Sequence, residues 1–106
     1  MKKLVIGIVF GGCSAEHDVS LSSAAAVVGH LNRERYDVVP VGITRDGRWL
    51  RYFGDAQGIA ADRWSEHPGC VPAMLSPDRS RKGLIELVGT EYRFTPLDVV
   101  FPVLHG

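Results

Sequence analysis

The sequence has no excess of charge of either sign, because its 12 Lys and Arg residues are balanced by 12 Asp and Glu residues. A neutral chain lacks the basic surface that neutralises phosphates, so we expect no nucleic-acid partner. No apolar stretch approaches the roughly 20 residues of a membrane span, so we expect no membrane partner either. The two cysteines, Cys13 and Cys70, lie far apart without metal-type spacing. We expect free thiols in a reducing cytoplasm, with a disulfide between them as the alternative.

Signals for export and for nucleotide binding are also missing. Lys2 and Lys3 ahead of apolar residues mimic a signal peptide, but the apolar stretch is short and runs into Gly11-Gly12 instead of a cleavage site. We therefore predict a first strand at this position and a cytoplasmic protein. The glycines at 7, 11 and 12 do not have the G-x-G-x-x-G spacing, and no Gly-Lys-Ser/Thr phosphate loop follows them.

The first half of the chain alternates strand and helix patterns. Residues 3–10 form an apolar run typical of a strand buried on both faces, and Glu16–Leu31 has the pattern of a helix, with Ser14 as its N-cap. The predicted buried stripe of this helix consists of Leu21, Ala24, Ala25, Val28 and Leu31. A second strand follows at Tyr36–Ile43, and Pro40 inside it indicates an edge position or a local irregularity.

The second half is predicted to be a β-rich insertion followed by a buried strand. Asp46-Gly47 lies between extended segments and predicts a hairpin, and a short helix is expected near Ile59–Trp64. The remaining predicted strands are Val71–Leu75, Leu84–Leu87, Tyr92–Phe94 and the apolar run Leu97–Leu104. We interpret Trp49, Tyr52 and Trp64 as packing residues of the insertion. The order of elements predicts an α/β fold with a mostly parallel sheet.

Candidate functional residues follow the first and last strands, at the sheet edge where open α/β folds bind small ligands. Glu16 in the first turn of the helix can receive an ammonium group or act as a base, or it can simply serve the helix dipole. Gly11-Gly12 allows either a close approach of a ligand to the backbone or a tight turn. His105 ends the last strand and can orient another group or bind a ligand, or it can be structural.

The other histidines offer no metal site. His17, His30 and His67 lack the spacing of metal ligands, and we expect them to be surface residues.

Two sequence segments resemble one family. The string GGCSAEHDVSLSSA after the first strand and DVVFPVLHG at the last strand are similar to the N-terminal domain of the D-alanine–D-alanine ligases, ATP-grasp enzymes of peptidoglycan synthesis. The segments GGCS, VGITRDGRW and LSPDRSRKGLI look more like the vancomycin-resistance ligases, which join D-alanine to D-lactate or D-serine. The insertion around Tyr52–Trp64 resembles the D-serine subgroup.

The resemblance implies a Rossmann-like (pre-ATP-grasp) α/β fold with flanking helices. It makes residues 1–106 an N-terminal substrate-binding domain and assigns the central and C-terminal ATP-grasp domains to the rest of a parent enzyme. That parent would use ATP and Mg²⁺, take D-alanine as its substrate and form a homodimer. The 106-residue chain alone is expected to bind neither cofactor and to be inactive.

The resemblance also implies roles for four residues. Glu16 matches the glutamate that binds the ammonium group of the first D-alanine, and His105 matches a histidine lying against the same subsite. Val19 corresponds to a wall of that subsite, and Ser20 belongs to the same loop-and-helix segment. The alternative from another class is a free-standing flavodoxin-like binding or interaction module without catalysis.

Overall fold

The structure, a computed structural model, describes residues 3–12, 17–78 and 80–103. Its helices are α1 (His17–His30) and α2 (Ala56–Ala60), and a 3₁₀ turn follows at Trp64–Glu66. Its strands are β1 (Leu4–Gly11), β2 (Tyr36–Ile43), β3 (Trp49–Arg51), β4 (Val71–Leu75), β5 (Gly83–Val88), β6 (Glu91–Pro96) and β7 (Val99–Val103).

The strands form one mixed sheet in the order β6-β5-β4-β3-β2-β1-β7. Strand β1 pairs in parallel with β2 on one side and with β7 on the other, whereas the remaining pairs are antiparallel. The predicted α/β class with flanking helices is confirmed. The sheet is mixed, so the expectation of a mostly parallel sheet is wrong. Its parallel part is limited to β2, β1 and β7, and the β-rich insertion continues the same sheet with antiparallel strands.

Strand β2 has the predicted bounds but lies inside the sheet, so the edge position inferred from Pro40 is wrong. The whole of β2 pairs with β1, and only its last residues, Val41–Ile43, pair with β3. The Pro40 carbonyl accepts a hydrogen bond from the Tyr52 amide at 3.0 Å, on the β3 side. Because the N and the carbonyl of one strand residue face the same side, the missing N–H of Pro40 removes only one bond at the end of the β2–β3 ladder, beyond the pair Val41–Arg51.

Helix α1 covers one face of the parallel strands, as its apolar stripe predicts. Leu21, Ala24 and Val28 are buried in the core beneath it, and Ala25 and Leu31 pack against the same core. The other members of this core are Ile8, Phe10, Leu50, Tyr52, Ile59, Trp64 and Val103. The helix thereby holds its first turn against the carboxyl ends of β1 and β7.

The opposite face of the sheet has its own apolar core. It consists of Val9, Val39, Val41, Ile43, Leu84 and Leu97. Leu97 was predicted to start the last strand, but it packs into this core and β7 begins at Val99. Asp98 instead joins the two strand starts, because its carboxylate accepts from the Val5 amide at 2.7 Å and its own amide donates to the Val5 carbonyl at 2.8 Å.

The helical segment of the insertion starts earlier than Ile59–Trp64, because its N-cap lies upstream. The Asp55 carboxylate accepts from the Gly58 amide at 3.0 Å and caps α2. Helix α2 ends at Ala60, and Asp62, two residues later, adopts a left-handed φ of 57°. Trp64 then packs edge-on against Phe10, with ring centroids 5.0 Å apart. Its packing role is confirmed, in the core beneath α1.

Candidate functional site

The turn after β1 depends on its glycines. Gly11 and Gly12 have φ angles of 88° and 109°, which side-chain-bearing residues rarely adopt. A Cβ at Gly11 would lie 2.3 Å from the Ile43 carbonyl oxygen, whereas a Cβ at Gly12 would meet nothing within 4 Å. Gly11 is therefore required by close packing of the turn on β2, while Gly12 faces open space at the carboxyl edge of the sheet.

Ser20 ties this turn to the end of β7. Its hydroxyl accepts a hydrogen bond from the Gly11 amide at 2.8 Å and donates to the Val103 carbonyl. The residue is fully buried. Since its single proton and one lone pair are engaged with the backbone, Ser20 fixes the carboxyl ends of β1 and β7 next to each other.

Val19 lies beside Ser20 on the first turn of α1 and has the opposite environment. Its side chain is 48% exposed, although it is apolar. An exposed valine at the carboxyl edge of the sheet suits the predicted role as a wall of a subsite, and that role stays a prediction.

The two residues with predicted catalytic roles, Glu16 and His105, lie outside the described residues, as do Cys13 and the N-cap Ser14. The structure does describe the positions from which both segments leave. Glu16 is followed by His17 at the start of α1, and His105 comes two residues after Val103 at the end of β7. Their roles stay predictions.

His17 is buried, so its predicted surface position is wrong. Its side chain is 2% exposed, and Nδ1 lies 2.7 Å from the Gly12 carbonyl oxygen. The spacing of His17 from the apolar residues of α1 does indicate this burial. His17 precedes Leu21, Ala24 and Val28 at helical spacing and extends the same buried stripe by one turn.

A cluster of charged residues borders the turn on the side of β2. Arg45 donates to the Asp18 carboxylate at 2.6 Å and lies 4.0 Å from Asp62 Oδ2, and His17 Nε2 lies 3.9 Å from Asp62 Oδ1. Exposure of Arg45 and both carboxylates keeps these pairs individually weak. A cavity of about 230 Å³ lies between them, lined by His17, Thr44, Arg45, Asp62, Trp64 and Ser65.

Asp46 and Cys70 are among the groups whose pKa is shifted, each for a local reason. The Thr44 hydroxyl donates to Asp46 and holds the pKa of that carboxyl below its usual value. Burial raises the pKa of the Cys70 thiol, whose Sγ lies 3.0 Å from the Trp64 carbonyl oxygen. A thiol kept neutral in this way is a packing group and a poor nucleophile.

Metal-ligand clusters and membrane-spanning helices were both sought among the described residues. Within residues 3–12, 17–78 and 80–103, no three His, Cys, Asp or Glu side chains come together as metal ligands. No helix in the same ranges is long and apolar enough to cross a membrane.

A cavity of about 540 Å³ lies at the other end of the parallel strands, away from the glycine turn. Lys3, Tyr36 and Arg51 are among the residues that line it.

This chain was compared with protein families, with curated proteins and with solved structures, and the matches extend over nearly all of its length. A family model described as D-ala D-ala ligase N-terminus matches residues 5–106. A D-alanine–D-alanine ligase from Caldicellulosiruptor bescii is 40% identical over 106 residues, which are 100% of this chain and 28% of the relative. The vancomycin B-type resistance protein VanB from Enterococcus faecalis is 41% identical over 100% of this chain and 29% of its own length.

Solved structures agree with the sequence relatives. The VanG D-Ala:D-Ser ligase from Enterococcus faecalis matches with a TM-score of 0.90 and 42% identity, over 99% of this chain and 30% of that chain. The D-alanine–D-alanine ligase from Coxiella burnetii matches with a TM-score of 0.81 and 28% identity, over 100% of this chain and 30% of that chain. The chain spans less than a third of the length of each of these relatives.

Proposed function

This chain belongs to the family of D-alanine–D-alanine ligase N-terminal domains, and on that premise we propose that it forms the first D-alanine subsite of a longer, ATP-dependent ligase. The ligase joins the carboxyl group of one D-alanine to the amino or hydroxyl group of a second substrate for peptidoglycan synthesis in the cytoplasm. In this proposal residues 1–106 are the N-terminal substrate-binding domain, and the central and C-terminal ATP-grasp domains belong to the remainder of the protein.

One observation carries the proposal: Ser20 bonds to both Gly11 and Val103 and so holds the carboxyl ends of β1 and β7 together. The segments containing Glu16 and His105 leave from these two strand ends. Neighbouring strand ends at the carboxyl edge are the usual place for a small-ligand site in an α/β sheet.

Glu16 is proposed to bind the ammonium group of the first D-alanine. A carboxylate at this position recognises a cation by charge and by hydrogen bonding, and it leaves the substrate carboxylate free to face the rest of the enzyme. His105 is proposed to lie against the same D-alanine and to hold the hydrogen-bonded groups around it. Val19 supplies an apolar wall for the small methyl side chain.

Ser20 takes a positioning role in this proposal. Its hydroxyl proton is already donated to the Val103 carbonyl, so its contribution is to set the spacing of the two segments that carry Glu16 and His105.

ATP and Mg²⁺ would be held by the later domains, where they would supply the phosphoryl group and the charge stabilisation that activate the substrate carboxylate. The part played by this chain is to hold D-alanine by its ammonium group so that its carboxylate points away from the glycine turn. Fixing a substrate in this way turns part of its binding energy into orientation for the attack of the second substrate.

For the second substrate we propose D-serine. Support comes from the resemblance of the insertion and from the structural match with the VanG D-Ala:D-Ser ligase at a TM-score of 0.90. Product analysis with D-alanine, D-serine and D-lactate offered together with radiolabelled D-alanine decides between the three.

The experiment that tests the subsite uses the full-length protein containing this chain and the variant Glu16→Gln. Phosphate release is measured with D-alanine, ATP and Mg²⁺. Loss of one charge-assisted contact is expected to lower kcat/KM for the first D-alanine by about 10- to 150-fold.

Glu34→Gln is the matched control, because Glu34 is exposed and lies ahead of β2 at the opposite end of the parallel strands. It should leave the kinetics unchanged. A full-length protein without D-alanine-dependent phosphate release would reject the ligase assignment and favour a non-catalytic binding module. Unchanged kinetics in the Glu16 variant would mean that Glu16 interacts with the helix dipole and does not bind the substrate.

A further inference from the structure

Strand β6 forms the end of the sheet opposite to β7, and among the described strands it pairs only with β5. Each of its six residues, Glu91–Pro96, has a partner on β5 in an unbroken register that starts at the hairpin loop Gly89-Thr90. A regular strand with one unpaired side presents its backbone N–H and C=O groups to any further strand. The free side of β6 can therefore pair with another chain.

The direction of the backbone hydrogen-bonding groups alternates along β6. The Leu97 amide, just beyond the strand, donates to the Lys82 carbonyl at 3.1 Å, on the β5 side. Because successive strand residues direct these groups to opposite sides, the odd-numbered residues of β6 bond to β5. The N–H and C=O groups of Tyr92 and Phe94 consequently face the free side, where Pro96 has no N–H to offer.

The side chains of β6 differ in chemistry between the two faces of the sheet. Tyr92 and Phe94 share one face and are 75% and 42% exposed, although both are aromatic. Glu91 and Arg93 lie on the other face, are exposed, and carry opposite charges two residues apart. Both faces of this edge thus present groups that a second strand can contact.

The charges select one antiparallel pairing of β6 with a second copy of itself. With a twofold axis at Tyr92, Glu91 of each copy lies opposite Arg93 of the other, so two attractive pairs form. With the axis at Arg93, two like charges lie directly opposite each other. With the axis at Phe94, the Tyr92 carbonyl faces Pro96, which cannot donate a hydrogen bond.

We propose that the free edge of β6 is a contact surface for a second copy of this chain, with the twofold axis at Tyr92. Each copy contributes the same strand, so the contact is isologous and closes as a dimer. Because β7 lies at the other end of the sheet, the β6 contact can form whether or not β7 associates. The inference goes beyond the proposed function and does not depend on it.

Cysteine cross-linking in the full-length protein that contains this chain tests the pairing. In Tyr92→Cys each new thiol lies opposite its own copy, and Cα atoms of such a pair are about 5.5 Å apart, within the range of a disulfide. Oxidised glutathione should therefore give a covalent dimer on a non-reducing gel. Phe94→Cys is the matched control and should stay monomeric, because residue 94 lies opposite Thr90. The wild type gives the background from Cys13 and Cys70.

Charge reversal tests the strength of the contact. Glu91→Lys turns two attractive pairs into two repulsive ones and should raise the Kd of the dimer by about 5- to 100-fold in analytical ultracentrifugation. Glu66→Lys makes the same change of charge at an exposed position of the 3₁₀ turn and should leave the Kd unchanged. Thermal melting followed by circular dichroism verifies that both variants are folded.

Three results would overturn the proposal. They are equal cross-linking of Tyr92→Cys and Phe94→Cys, an unchanged Kd in Glu91→Lys, and a full-length protein that stays monomeric at about 100 μM, where exposed apolar surface normally drives association. The last result would assign the β6 edge to a different partner. None of these measurements uses turnover, so a failure of the ligase assignment would be recognised separately by its missing D-alanine-dependent phosphate release.

Discussion

Ser20 donates a hydrogen bond to the carbonyl of Val103, a residue 83 positions away in the sequence. The same hydroxyl accepts from the Gly11 amide. One buried side chain thus links helix α1 to two parallel strands at the edge where the candidate site lies. Truncating this side chain tests how much the edge depends on it.

Ser20→Ala should destabilise the domain by about 1–3 kcal/mol, because it leaves a buried amide and a buried carbonyl without their partner. Urea unfolding followed by circular dichroism measures the change. Ser22→Ala, on an exposed position of the same helix, is the control and should alter the free energy of unfolding by less than about 0.5 kcal/mol. Equal stability of the two variants would show that water replaces the Ser20 hydroxyl without cost.

Two glycine-to-alanine substitutions should shift stability in opposite directions. At Gly42 a Cβ would lie 2.2 Å from Trp64 Cζ3, so Gly42→Ala forces the indole ring to move and should cost about 1–3 kcal/mol. At Gly29, in helix α1, a Cβ meets only Ala56 Cβ at 3.7 Å, and alanine should stabilise by about 0.5–1 kcal/mol. Thermal melting of both variants tests the pair, and a stabilising Gly42→Ala would contradict the packing of Trp64.

Glu86 is completely buried and depends on Arg51 for charge compensation. Arg51 Nη1 donates to Glu86 Oε2 at 2.9 Å and to Thr95 at 3.1 Å. Arg51→Met should destabilise by about 3–5 kcal/mol, because it leaves a buried carboxylate without its closest cation.

The double variant Arg51→Met/Glu86→Leu should recover most of this loss, since it removes the stranded charge. Arg93→Met is the control: Arg93 lies 3.5 Å from Glu86 but is largely exposed, and its removal should cost less than about 1 kcal/mol. If Arg51→Met is no less stable than the Arg93→Met control, the charge of Glu86 is compensated without Arg51.

Local sequence patterns correctly predicted the structural features that depend only on residues close together in the sequence. The bounds of β2 and β4 and the hairpin at Asp46-Gly47 agree with the sequence, because alternation, β-branched content and turn residues act over a few positions. The interior position of Pro40 and the burial of Glu86 could not be read in this way. They depend on which strands become neighbours, and the partner of Glu86 lies 35 positions away.

The sequence predicted which segments form the candidate site, but it did not predict the environment of every residue in them. Motif and periodicity placed Gly11-Gly12 at the end of β1, and the family resemblance placed Ser20 in the loop-and-helix segment that follows. The structure joins Ser20 to Gly11 and to Val103 at the end of β7. The burial of His17 was missed because the histidines were judged by metal-ligand spacing alone. Its helical spacing to Leu21 would have revealed it.

The last prediction concerns self-association of this domain, a contribution to the homodimer that the family resemblance implies for the parent enzyme. Strand β7 ends the sheet and pairs only with β1 among the described strands. Its residues Val99, Val100 and Phe101 are 46%, 40% and 50% exposed. Unpaired backbone groups next to exposed apolar side chains favour pairing with another chain, so the 106-residue chain should associate increasingly with concentration in light scattering.

Phe101→Lys places a charge on this edge and should shift the species towards the monomer, whereas Val88→Lys, at an exposed position on β5, should leave the association unchanged. If both variants associate as the wild type does, the contact lies elsewhere, with the exposed side of α1 as the next surface to test. A wild-type chain that stays monomeric at about 100 μM, where exposed apolar surface normally drives association, would show that the β7 edge does not act as a contact surface.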